Sequence, residues 1–177
     1  AGDYYRKQND LISAEKYYRR AVLKDSQLAI ARVNLASTLN VSGRNAEALL
    51  QLETASKLEP NSDHIFYSLG LMYAEMQDLS KAEKAFEKAI ALNKNNIRVQ
   101  YNYGLLLQQQ GKIAAAEKVF NMALTADPTN ADVLNALTIL YMQSQQINKA
   151  LATGKILQQY HGNNPAYTNL LRQLKLQ

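Results

Sequence analysis

The chain has 177 residues, 47% of them hydrophobic, and a net charge of +5; that is length and apolar content for a sizeable core, and it excludes a disordered chain. Cysteine is absent, which excludes disulfides and cysteine-ligated metal, and the longest apolar runs fall far short of a membrane span, so a soluble protein is expected, with cytoplasm and periplasm both compatible. With only seven glycines and three prolines, helices are favoured over a turn-rich β fold. In chain order, helical segments are interrupted at Asn9-Asp10, Gly43, Gln77-Asp78, Gly111 and Gln145-Gln146, and, after the second to fifth of these points, by the breakers EPNSD, NKNN, DPTNAD and HGNNP. Asn164 before Pro165 reads as an N-cap followed by proline at the first helical position. It opens a last helix with Tyr167, Leu170, Leu171 and Leu174 on one side and Asn169, Arg172 and Gln173 on the other.

The stretch GLMYAEMQDLSKAEKAFEKAIALN, beginning at Gly70, reads as helix but opens on a glycine, at a cost of about 1 kcal/mol relative to alanine. Thirty-four residues on, Gly104 opens a similar run, with Ala82 matched by Ala116, Phe86 by Phe120 and Ala89 by Ala123. Steps back give Ala36, Ala48, Leu52 and Ala55, then Gly2, Ala14, Tyr18 and Ala21; a step forward gives Thr138, Ala150, Gly154 and Leu157. One position is alanine five times running: Ala14, Ala48, Ala82, Ala116 and Ala150.

This period and pattern resemble the tetratricopeptide repeat. Phe66, Leu69, Gly70, Tyr73, Ala82, Phe86 and Ala89 meet the family pattern best; Pro60 and Pro128 occupy its proline position, and Lys94 stands there in the third repeat. The resemblance covers the whole chain and implies an all-α, right-handed solenoid of helix-turn-helix repeats, A then B, forming a single domain over 1–177. The repeats fall at 1–28 (incomplete), 29–62, 63–96, 97–130 and 131–164. The last helix, 165–176, is read as a cap on the open end of the stack, with helix A of a truncated sixth repeat as the rival. Small residues on A and alanine on B are expected to let helices approach, with the aromatic of B between neighbouring pairs. Tyr167 or Leu171 is expected to fill the space left by Gly154. Ala1-Gly2 fall at the seventh and eighth positions of the pattern, so the chain is read as a fragment with further sequence upstream.

No catalytic constellation is present: His64 and His161 lie on different elements with no metal-site spacing, no glycine-rich phosphate loop occurs, and the carboxylates are scattered. No enzyme activity, cofactor or metal is expected, and ion-pair networks look sparse. The resemblance implies that helix A lines a concave face. Carried over, the groove holds Asn34 and Ser37 in the second repeat; His64, Tyr67 and Ser68 in the third; Arg98, Tyr101, Asn102 and Gln108 in the fourth; and Asn135 in the fifth. Asn34 and Asn102 share one position, similar to the asparagine ladder of O-linked N-acetylglucosamine transferases but broken by Ser68 and Ala136; Tyr67 and Tyr101 share another. The carboxylate clamp of co-chaperone repeats is not met in either register, where Val33, Ser37, Ser68, Arg98 and Asn102, or Tyr67, Leu71, Asn102, Asp132 and Ala136, take its places. YYRK at Tyr4 and YYRR at Tyr17 interleave aromatics with cations, but Tyr5 and Tyr18 fall at core positions, and the positive excess is dispersed, which argues against nucleic acid. The expected function is a non-catalytic protein–protein interaction scaffold that binds a peptide or helix in its groove, with a homo-oligomer left open. The alternative is a C-terminal appendage of a larger enzyme or electron-transfer protein, of glycosyltransferase or multihaem cytochrome type.

Overall fold

A computed structural model describes residues 2–174. Ala1 and the end of the expected last helix, at 176, lie outside the described residues. Among the described residues there are eleven helices and no strand. The first pair is α1 (Gly2–Lys7) and α2 (Leu11–Lys24); the second α3 (Ala29–Val41) and α4 (Asn45–Leu58); the third α5 (Asp63–Glu75) and α6 (Leu79–Leu92). Then come α7 (Ile97–Gln109) and α8 (Ile113–Ala126), α9 (Ala131–Gln143) and α10 (Ile147–His161), and finally α11 (Pro165–Gln173). The chain divides into two compact units, Ala1–Asn93 and Lys94–Gln177, and each is a stack of helical hairpins.

The hairpins turn in the same way each time. Asn9, Gly43, Gln77, Gly111 and Gln145, spaced by one repeat, all adopt positive φ, between 58° and 76°. In each turn the following residue donates its N–H back across the helix end: Asp10 to Tyr5, Arg44 to Leu39, Asp78 to Tyr73, Lys112 to Leu107 and Gln146 to Tyr141, at 2.8–2.9 Å. The positive-φ residue itself bonds one carbonyl further along, so two otherwise orphaned acceptors are satisfied per helix end. At Gly43 and Gly111 a side chain would meet open space, so only the backbone conformation opposes one. Gly43→Ala and Gly111→Ala should each cost about 1–2 kcal/mol, read from urea unfolding of the full chain.

The helix starts follow local chemistry. Asp10, Asp78, Asn96 and Asn130 each accept a hydrogen bond from the N–H three residues on, and Asn164 caps α11 ahead of Pro165 by accepting from Ala166.

Inside the pairs, the five repeat alanines are all fully buried, as are Ala55, Ala89 and Ala123. The glycine at the start of the quoted run is there for its partner's ring. A Cβ on Gly70 would stand 2.6 Å from Cδ1 of Phe86, one on Gly2 would stand 2.5 Å from Cε1 of Tyr18, and one on Gly104 would overlap the Phe120 ring. The aromatic of helix B thus packs on helix A of its own pair. Size is complementary across the two positions: glycine faces an aromatic three times, Ala36 stands opposite Leu52, and in the fifth repeat the order reverses to Thr138 and Gly154. Thr138 is fully buried, and its hydroxyl, 2.7 Å from the Leu134 carbonyl, also bonds the Thr153 hydroxyl at 2.9 Å.

In the second unit Tyr167 and Leu171 of α11 join Leu134 and Leu157 in one apolar cluster, with Leu170 partly buried against it. His161 closes α10, and its Nε2 lies 2.6 Å from the Thr129 carbonyl, so it ties the end of α10 to the turn before α9. In the first unit Tyr18 is buried and Tyr5 stacks on Tyr17 at 5.1 Å with the rings 10° apart.

The expectation of sparse ion pairs needs correcting. Arg19 and Arg44 hold Glu15 and Glu47 in a closed four-membered network across α2 and α4, at 2.6–3.1 Å. Partial burial raises the Glu15 carboxyl, but Arg19 and Arg44 together outweigh it and hold its pKa below the usual value; Arg44 does the same for Glu47. In the second unit Lys149 reaches Glu117 at 2.7 Å.

Candidate functional site

Helix periodicity decides which groove candidates reach solvent. On α3 the buried set is Ala29, Ala31, Val33, Leu35, Ala36, Thr38 and Leu39, leaving Asn34 half-buried and Ser37 exposed. On α5 Ile65, Leu69, Gly70 and Met72 are buried, leaving His64 exposed and Tyr67 and Ser68 half-buried. These two A helices flank a hollow of about 310 Å³ in the first unit. Asn34, Ser37, His64 and Ser68 line it, with Asn40 and Glu75 at the end where the helices turn. Asn40 donates to Glu75 at 2.7 Å, and Asn45 also reaches that carboxylate, at 3.2 Å.

Two refinements concern this hollow. Tyr67 does not line it; its ring lies 6.2 Å from that of Phe86 and works as packing. Ser68 donates its hydroxyl to the His64 carbonyl of its own helix at 2.9 Å. Among the polar lining residues, Arg6, from α1, was missed by sequence reasoning. The signal was available, since Arg6 stands thirty-four residues before Asn40 and so shares its place in the repeat.

In the second unit α7 and α9 present the remaining candidates. Arg98 is exposed, and Asn102 and Asn135 are half-buried. The Asn102 amide donates to the Arg98 carbonyl at 2.9 Å, so one donor of the proposed ladder is turned onto its own helix. Tyr101 packs 6.5 Å from Phe120, and burial, with Asp132 adding to it, pushes its hydroxyl pKa up. The Tyr167 hydroxyl donates to Asp132 at 3.4 Å. Gln108 donates to Gln143 at 2.7 Å, one repeat plus one residue further on, the same offset as Asn40 and Glu75. Gln108 therefore clasps adjacent A helices.

The chemistry of the two faces is that of amides, hydroxyls, two guanidiniums, an imidazole and the Glu75 carboxylate: hydrogen bonding without a positioned nucleophile. No group of three His, Asp or Glu among the described residues is placed to hold a metal ion, and no described helix is long and apolar enough to cross a membrane.

Comparison with known proteins agrees with this architecture. The anaphase-promoting complex subunit CDC16 of Saccharomyces cerevisiae is 30% identical over 83 residues, which is 47% of this chain and 10% of that protein. The chain thus spans about a tenth of that relative's length. Among solved structures, MamA superimposes with a TM-score of 0.85 at 20% identity, over 94% of this chain and 97% of that one. YrrB, described as a TPR protein with an unusual peptide-binding site, gives 0.79 at 21% identity, over 97% of this chain and 88% of its own. PilW, a type IV pilus biogenesis factor, gives 0.83 at 19%, over 99% and 83%. At such identities the likeness establishes the fold. Two family models, both described as tetratricopeptide repeat, match residues 1–63, 41–97 and 67–131 in one case and 107–174 in the other; with the hairpin recurring in phase beneath them, the chain belongs to the tetratricopeptide-repeat family.

Proposed function

We propose that the protein is a non-catalytic interaction scaffold whose A-helix faces take an extended peptide or a helix. The observation that carries this reading is the hollow flanked by α3 and α5, where Asn34, Ser37, His64 and Ser68 gather beside the buried wall made by Val33 and Met72. Asn34 makes no side-chain hydrogen bond among the described residues, and an amide offers a donor and an acceptor together, the pair that a peptide unit needs. In the second unit Arg98, Asn102 and Asn135 present similar chemistry, with Tyr101 half-buried beside them. Repeat proteins of this kind use such faces for recognition.

The test starts from a peptide selected on the full chain from a random display library. Asn34→Ala with His64→Ala should weaken that peptide about tenfold or more, while the thermal melt followed by circular dichroism stays within a few degrees, because both side chains lie outside the core. Unchanged affinity would sink the groove assignment. The tyrosines are poor first probes, since each packs on a core phenylalanine.

A further inference from the structure

A second hollow, of about 460 Å³, opens in the first unit between α4 and α6 over the side of α5, and it shares no lining residue with the A-helix groove. Its floor is apolar: Phe66, Leu69, Ala85 and the ring of Tyr73. Its rim is cationic, with Lys57 on α4 and Lys81 and Lys84 on α6. Lys88 belongs to the same stripe of α6, and its Nζ sits 5.8 Å from the centroid of the Phe66 ring, while that of Lys81 sits 5.4 Å from the Tyr73 ring.

Two negative groups nearby have partners of their own. Glu53, the one carboxylate in the lining, accepts the Tyr73 hydroxyl at 2.7 Å; burial and that carboxylate push the Tyr73 pKa up to about 12, so the hydroxyl remains a donor at neutral pH. Asp78 pairs with Lys81 at 3.0 Å. Lys57 and Lys84 are exposed and have no ion pair or hydrogen bond among the described residues.

We propose that this hollow is a second docking site, for an acidic peptide segment that carries one aromatic or leucine side chain. The apolar side chain would rest on Phe66, Leu69 and Ala85, and carboxylates on either side of it would meet Lys57 and Lys84. Charge complementarity selects the occupant: Lys57 and Lys84, both without an ion pair, stand at the edge of an apolar floor, and a volume of this size suits one large side chain with its adjoining backbone. A flat anionic bilayer is a poorer match, because Leu69 is only 4% exposed and lies recessed below the lysines.

The experiment titrates the full chain with a fluorescent seven-residue peptide, phenylalanine flanked by three acidic residues on each side. Comparison peptides replace the phenylalanine by alanine or the acids by lysines. The acidic phenylalanine peptide should bind, both comparison peptides should bind at least tenfold more weakly, and raised salt should weaken the complex. Lys57→Glu with Lys84→Glu, two exposed positions, should cost about tenfold, or about 1.4 kcal/mol. Asn34→Ala with His64→Ala should leave this affinity unchanged, which separates the site from the groove. Absence of binding, equal binding of the alanine peptide, insensitivity to the lysine reversals, loss of binding in the groove variant, or capture of anionic vesicles in place of the peptide would each overturn the proposal.

Discussion

Phe86→Ala is expected to remove about 3–5 kcal/mol from the stability of the chain. Phe86 is 1% exposed, rests against Gly70 on the facing helix and has the Tyr67 ring 6.2 Å away. Truncation loses the transfer free energy of the ring and leaves a cavity that cannot collapse: Ala82 and Ala89, each at 0% exposure on the same helix, have no atoms with which to fill it. Urea unfolding of the full chain gives the measurement, with Leu50→Ala as a control, since Leu50 is 59% exposed and its loss should fall within about 0.5 kcal/mol. Because repeat stacks unfold by local as well as global opening, the loss should be concentrated in the first unit, where hydrogen exchange in α5 and α6 should accelerate while α9 and α10 are less affected. A loss near zero would mean that Phe86 does not hold the place the repeat gives it.

Much of this was legible in the sequence because a period carries long-range information that composition does not. Once Ala14, Ala48, Ala82, Ala116 and Ala150 were in phase, the buried stripe of every B helix followed, and so did the turns. What stayed hidden depends on how one hairpin is laid against the next. The Glu15–Arg19–Arg44–Glu47 network joins residues 28 and 29 apart as well as neighbours on one helix, and no helical spacing predicts the longer links. The positive φ at Gln77 and Gln145 is legible only through the period, since glutamine is not a left-handed residue by preference, and Asn9, Gly43 and Gly111 mark the shared position. The candidate site was legible as a list of outward-facing residues, and the structure sorts that list. Asn34, Ser37, His64 and Ser68 meet in one hollow; Tyr67 and Tyr101 lean on the core; Gln108 and Asn102 make hydrogen bonds of their own. The lysine-rimmed hollow over α5 escaped notice because Phe66 and Tyr73 read as repeat-pattern positions, and a pattern does not say whether a core residue leaves one edge open.

The contact between glycine and ring predicts a coupling as well as a loss. Gly104→Ala alone should destabilise the chain by about 1–3 kcal/mol, because the new methyl overlaps the Phe120 ring, which is 0% exposed and has nowhere to withdraw. In the middle of α7 the same change carries a helix-propensity gain of about 1 kcal/mol, so the net loss shows that the steric cost exceeds that gain. Phe120→Ala removes the ring and with it the clash. In that background Gly104→Ala should become neutral or stabilising by about 1 kcal/mol, since the methyl enters space the ring has vacated and the propensity gain remains. A double-mutant cycle should therefore report a coupling of about 2–3 kcal/mol between two residues sixteen positions apart on facing helices. Additive losses would show that glycine stands at Gly104 for a reason other than the ring opposite it, and would remove the explanation for Gly2 and Gly70 at the same stroke.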